Sequence, residues 1–232
     1  MVFPASGDPD APPVNPLPLA VVLLALPIVL IEIIFVAGAS GVVGGPEAIG
    51  WRLEWVQNQG LSGALFRYAV ETGLWTYDFL HRFVSYPFVH SGFMHMVMVL
   101  VFLLAMGKLV GDTMGSAAVF IIFFGSAILG GFVYALLVPS QNALIGGYPA
   151  VYGLIGAYTY ILWANLAATG GPTHQAFTLI AFLMGIQLVF GVLFGGNLDW
   201  IAELAGFCAG FGLSFLVRPG GMARIVERMR SR

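Results

Sequence analysis

The sequence predicts an all-α polytopic membrane protein: a bundle of six transmembrane helices with a long aromatic first loop. Three observations carry this. Of 232 residues, 59% are apolar and only 9% are charged, whereas a soluble domain carries about a quarter charged residues. Six stretches reach the roughly 20 apolar residues that a bilayer crossing takes. Glycine and other small residues recur within them, a composition that lets helices approach closely in lipid. Those spans form one compact bundle. The expected organisation is a disordered tail over 1–16, a six-helix membrane domain over 17–217 and a basic cytoplasmic tail over 218–232.

The first sixteen residues, MVFPASGDPDAPPVNP, are Pro-rich, carry Asp8 and Asp10 and lack Lys and Arg. This composition predicts disorder. A signal peptide would need a basic start before its apolar core, so that reading is rejected. The spans are expected near Leu17–Ala37, Gly92–Leu109, Ser116–Val138, Ala150–Ala168, Gln175–Phe194 and Asp199–Val217. Basic residues set orientation. Lys108 closes the second span, and Arg218, Arg224, Arg228, Arg230 and Arg232 follow the last. With six spans these fall on one side, which predicts cytoplasmic termini. The tail either fixes topology alone or forms a short helix on the membrane surface. Arg52, Arg67 and Arg82 lie in the first loop on the other side, offset by Glu47, Glu54, Glu71 and Asp78.

That loop, from about Gly38 to Val89, is too long for a simple connection. It holds Trp51, Trp55, Phe66, Tyr68, Trp75, Tyr77 and Phe79. Aromatics at this density suit a membrane interface, so an amphipathic segment half in the headgroups is expected. A lid with its own core is disfavoured, because no clear apolar period runs through it. One cysteine, Cys208, rules out a disulfide framework and a zinc cluster within the chain. No basic helix or aromatic–basic interleaving points to nucleic acid. Nothing calls for a cofactor or a metal.

Polar groups inside the spans need a reason to be there. Glu32 lies in the first span with no evident partner in sequence. Glu203 lies early in the last span; taken alone it reads as a neutral acid hydrogen-bonded to a neighbouring helix. His90 and His95 flank the start of the second span. Five residues apart, they are about 140° apart around a helix, a poor chelating geometry. Capping or backbone hydrogen bonding is the simpler reading for each, beside metal binding or catalysis. The stretch Ile145-Gly146-Gly147-Tyr148-Pro149 joins a glycine turn to a helix start. Such a turn is a place for a reactive group, and it holds Tyr148. Taken alone, Tyr148 also reads as an interfacial aromatic.

In order and spacing these segments resemble the rhomboid intramembrane serine proteases. Arg82-Phe-Val-Ser-Tyr-Pro-Phe-Val-His90-Ser-Gly-Phe-Met-His95 is similar to the family's approach to its second span. Gly146-Gly147-Tyr148-Pro149 is similar to its Gly-x-Ser-Gly nucleophile turn. Ala202-Glu203-Leu-Ala-Gly206 is similar to its Ala-His-x-x-Gly on the last span. The resemblance implies a serine nucleophile, a histidine base, and an oxyanion site built from an asparagine, a histidine and backbone N–H groups. The serine position holds Tyr148, the base position Glu203 and the asparagine position Val99. His95 keeps the family's residue, and Arg82, His90, Gly146, Gly147 and Gly206 keep the supporting pattern, as client-binding or structural residues.

Those changes undo the family's chemistry. A phenol is bulkier and differently placed than a serine hydroxyl. Valine donates nothing to an oxyanion, a loss that alone costs about a hundred- to a thousand-fold in rate. Pro149 removes a backbone N–H beside the nucleophile position. Ser126, Ser140 and Ser214 show no base partner in sequence. Tyr148 and Glu203 are expected to face each other and to hydrogen-bond, locking the site. The function expected is a pseudoprotease that binds transmembrane client helices, with lipid as its other partner, beside the second and fifth spans. The alternative is an active intramembrane peptidase with rearranged residues. A channel or transporter is disfavoured, since no inverted repeat is visible. Small size and the resemblance imply a bacterial plasma membrane.

Overall fold

The computed structural model describes residues 16–139 and 141–218. The expected disordered tail, apart from Pro16, and the basic tail beyond Arg218 lie outside the described residues, as does Ser140. In chain order the helices are α1 (Leu19–Ala39), α2 (Trp51–Gln59), α3 (Gly63–Thr72), α4 (Tyr77–Leu80), α5 (Arg82–Ser85), α6 (Phe93–Met114), α7 (Ser116–Leu137), α8 (Tyr148–Ala168), α9 (Thr178–Phe194) and α10 (Trp200–Val217). Short 3₁₀ turns precede α2, α6 and α9. Six of these segments are long and apolar enough to cross a membrane: α1, α6, α7, α8, α9 with its preceding turn, and α10.

The spans fall within a few residues of their expected bounds, and two of the departures have a local cause. The second span continues past Leu109 to Met114, because Lys108 and Asp112 pair one turn apart at 3.1 Å and carry the helix on. It stops at Gly115, whose φ of 89° few other residues would adopt. The fourth begins at Tyr148 rather than Ala150, which puts Pro149 within the first turn, where its missing N–H costs nothing.

The core is built on α8, which packs against both α7 and α10 while those two also pack on each other. Its residues Val151, Leu154, Ile155 and Ala157 are essentially inaccessible. Glycines allow this. A Cβ on Gly206 would strike the backbone of Pro149, and one on Gly210 the backbone of Gly153. Backbones so close exchange a wide belt of dispersion contacts, the main attraction between helices in lipid. By contrast α9 is peripheral. Ile180 is buried at its start, but Phe182, Ile186, Leu188, Val189 and Val192 are exposed.

The first loop is folded against the bundle. It folds into α2–α5 and packs on the bundle through Leu61, Phe66, Ala69, Phe79 and Tyr86. Phe66 is the hub: its ring meets Phe132 of α7 edge-on at 5.6 Å and Trp75 at 5.9 Å. The buried positions come from several short helices, so no single period reveals them. Trp55, Tyr68, Trp75 and Tyr77 keep 41–80% exposure, which leaves the interface-type surface on the outer side.

Glu32 has a partner after all. Arg52 of α2 reaches it with two hydrogen bonds of 2.7 and 2.8 Å and donates a third to the His90 carbonyl at 2.9 Å. One guanidinium thus ties α1, α2 and the start of α6 together.

Candidate functional site

The site gathers around the N-terminus of α8. Ahead of it, Leu61 and Leu144 exchange both backbone hydrogen bonds, at 3.1 and 2.7 Å, so the first loop and the turn before α8 are stitched as one. Arg82 holds that seam from the loop side. It donates to the carbonyls of Gln57 and Gly60 at 2.7 Å and of Asp78 at 2.8 Å. Burial lowers the Arg82 guanidinium from its ordinary range, against the opposing pull of Asp78. Tyr86 anchors the same region, donating from its buried hydroxyl to the Ala127 carbonyl at 2.8 Å, while its carbonyl accepts from Gly146 N–H at 3.0 Å.

Gly146 has φ of 89°, and a Cβ there would run into the His95 ring. A Cβ on Gly147 would lie 2.7 Å from Val99 Cγ1. Glycine is therefore required twice over at Gly146, by the left-handed turn and by the histidine behind it, whereas Gly147, at φ −79°, is constrained by Val99 alone. His90 is 1% exposed and its Nε2 accepts from the Gly147 N–H at 3.4 Å. Burial, helped by the nearby His95, pushes the His90 imidazole down to about 3, against the raising hydrogen bond at Phe88. It therefore stays neutral at physiological pH and keeps its acceptor. In an unfolded chain the same imidazole would protonate near 6.5. Stability is then complete above pH 6.5 and falls as pH drops from there toward 3, since the unfolded state binds the extra proton. In His90→Gln this part of the slope is expected to vanish from pH-dependent melting curves relative to wild type.

His95 lies across from the turn. Its ring is T-shaped to His90 and stacks on Tyr148, both at 5.0 Å. Its Nδ1 is 3.0 Å from Ser91 Oγ, and its Nε2 is buried without a hydrogen-bond partner. Tyr148, Pro149 and His95 line a cavity of about 260 Å³ together with Gln187, Asn197, Asp199 and Glu203. Val99 is fully buried behind Gly147, and Gly206 backs onto Pro149. The fold brings Tyr148, Glu203, Val99 and His95 around one turn, with His90, Gly146, Gly147 and Gly206 beside them. Arg82 sits further out, in the supporting loop.

The expected Tyr148–Glu203 hydrogen bond does not form. The Tyr148 ring lies flat on His95, and the Glu203 carboxylate accepts instead from Gln187 Nε2 of α9. Gln187, Asp199 and Ser91 went unnoticed in the sequence. Asp199 is one turn before Glu203, a spacing that does mark a shared helix face. Among the remaining serines, Ser126 is buried against Gly153 with no partner, and Ser214 donates back to the Gly210 carbonyl at 2.7 Å. Neither reaches the cavity. Among the described residues no group of three or more His, Cys, Asp or Glu is arranged to hold a metal.

The rhomboid domain model matches residues 77–220, which include the whole site and five of the six spans. The chain belongs to the rhomboid family. Its rhomboid relatives are distant. YdcA of Bacillus subtilis, whose name provisionally calls it a rhomboid protease, is 26% identical over 136 residues, 58% of this chain and 66% of its own length. RHOMBOID-like protein 5 of Arabidopsis thaliana is 31% identical over 162 residues, 68% of this chain and 49% of its own length. Rhomboid-like protease 3 of Toxoplasma gondii is 27% identical over 137 residues, 58% of this chain and 50% of its own. The chain thus spans about half to two thirds of these rhomboid relatives. Rhomboid membership and six spanning helices make it an integral membrane protein.

Proposed function

We propose that this rhomboid-family protein is a catalytically inactive pseudoprotease that holds transmembrane helices of client proteins without cutting them. One observation carries the reading: the turn where the family places its nucleophile presents Tyr148, stacked on His95. The phenol has no base in hydrogen-bond contact: Glu203 pairs with Gln187 and not with Tyr148. Val99 and Pro149 offer no donor to an oxyanion. His95 of α6 and Gln187 of α9 line one cavity, and both helices expose apolar residues, Met94 and Met98 on one and Ile186 and Val189 on the other, which is the surface offered to a client helix. Lys108 Nζ reaches back to the Pro16 carbonyl at 3.3 Å, so the beginning of α1 and the end of α6 share one side, read here as cytoplasmic in a bacterial plasma membrane.

A second reading, an active peptidase with rearranged residues, is favoured by the Ser91–His95 contact. A hydroxyl within hydrogen-bond reach of an imidazole is a nucleophile–base arrangement. The imidazole lacks the third group that would orient it, since its Nε2 is unpartnered.

Labelling of the purified chain with a serine-reactive fluorophosphonate, beside cleavage of a transmembrane model substrate, tests both. The wild type is expected neither to label nor to cut. The variant Tyr148→Ser, Pro149→Gly, Glu203→His, Val99→Asn is expected to do both. Wild-type labelling that Ser91→Ala abolishes would overturn the pseudoprotease reading and establish the second.

A further inference from the structure

The cavity at Tyr148 adjoins a larger one of about 470 Å³, the two sharing His95, Ile145, Asn197 and Asp199 as walls. Their chemistry is one-sided. Two carboxylates, Asp199 and Glu203, face in from the start of α10, and no Lys or Arg lines either cavity. Asp199 is partly satisfied: its Oδ2 accepts from Asn197 Nδ2 at 2.5 Å. Glu203 is only 4% exposed. Its Oε2 accepts from Gln187 Nε2. The Gln187 Oε1 is buried and unpartnered.

A buried acceptor without a donor is costly, and a buried carboxylate without a cation more so. Beside Tyr148 the Gln187 Oε1 lacks a donor, and the neighbouring Glu203 carboxylate is met by a neutral amide. The ring of Tyr148 adds an aromatic wall. A group that donates several hydrogen bonds, accepts none and carries positive charge satisfies all of this; ammonium and guanidinium are the side-chain groups of that kind. Burial raises the Asp199 carboxyl from its ordinary value, the behaviour of an acid that lacks a cation beside it.

We infer that these adjoining cavities form a binding site for an organic cation, an ammonium or guanidinium group held between Glu203, Asp199 and the Gln187 carbonyl. One source is a free amine. The other is a Lys or Arg side chain at the end of a client's transmembrane helix, and this source rests on the client-binding reading above.

The test uses the full chain in detergent with two probes. The first is a pair of fluorescent Leu/Ala transmembrane peptides, identical except for one Lys or Gln at the end of the apolar stretch. The second is n-butylammonium, with n-butanol as its neutral counterpart, read by thermal shift at constant ionic strength. The wild type is expected to bind the Lys peptide about tenfold tighter than the Gln peptide, the factor of one good charge-assisted contact. That preference is expected to disappear in Glu203→Gln, which keeps the Gln187 hydrogen bond and so the packing of α9. Equal binding of both peptides by the wild type overturns the cation site while leaving client binding intact. If neither peptide binds but n-butylammonium saturably raises the melting temperature of wild type and not of Glu203→Gln, the site stands and the client reading falls. No Lys preference and no saturable shift means that the cavity holds water alone, and the inference fails.

Discussion

Replacing Arg52 by leucine is expected to destabilise the protein by about 3–5 kcal/mol, the loss seen when one partner of a buried ion pair is removed. The effect is large because Glu32 stays behind, 3% exposed, inside a membrane-spanning helix, and among the described residues no other salt bridge reaches it. Arg52 also leaves the His90 carbonyl without its 2.9 Å donor and vacates the face of Phe35, over which its guanidinium sits at 5.0 Å. Glu32→Leu with Arg52→Leu is expected to recover part of the loss, since two apolar groups leave no charge stranded. Melting of the purified single and double variants in detergent checks this. If the double variant is no more stable than Arg52→Leu, the ion pair is not what the guanidinium contributes.

The second large effect is expected at Gly206. A single methyl group there would lie 3.2 Å from the Pro149 Cα and closer still to its carbonyl. Backbone cannot rotate out of the way as a side chain can. Gly206→Ala is therefore expected to push α10 away from α8 at a cost of about 3 kcal/mol, the upper range for overpacking. Gly212 lies six residues on in the same helix with nothing near its would-be Cβ. Gly212→Ala is expected to be neutral, or to stabilise by up to about 1 kcal/mol through helix propensity. Equal melting temperatures for the two variants would mean that the helices have room to spare. Because Pro149 follows Tyr148, Gly206→Ala is also expected to disturb the Tyr148–His95 stack, visible as a change in tyrosine fluorescence.

The six spans were legible because hydrophobic length in a bilayer is a one-dimensional property: about 20 apolar residues are needed whatever packs beside them. Gly146, Gly147, His90, His95 and Glu203 were legible for a related reason. A glycine turn, a histidine at a helix start and an acid in an apolar run are each anomalous in their own neighbourhood. The folded first loop was harder to see, because its buried residues Leu61, Phe66, Phe79 and Tyr86 are spread over several short elements.

By itself, then, the sequence determined the spans, the small-residue packing of the helices, and the turn that carries Tyr148 where the family carries serine. Only the tertiary structure decided the partners. It gave Glu32 to Arg52, twenty residues away, gave Glu203 to Gln187 rather than to Tyr148, and laid Tyr148 on His95. The physical reason is the reach of the interactions. A hydrogen bond or ring stack holds over only a few ångströms, so its partner depends on how each helix is rotated and how deep it sits. That rotation is set by the whole bundle, through contacts such as Gly206 on Pro149, and no local pattern records it.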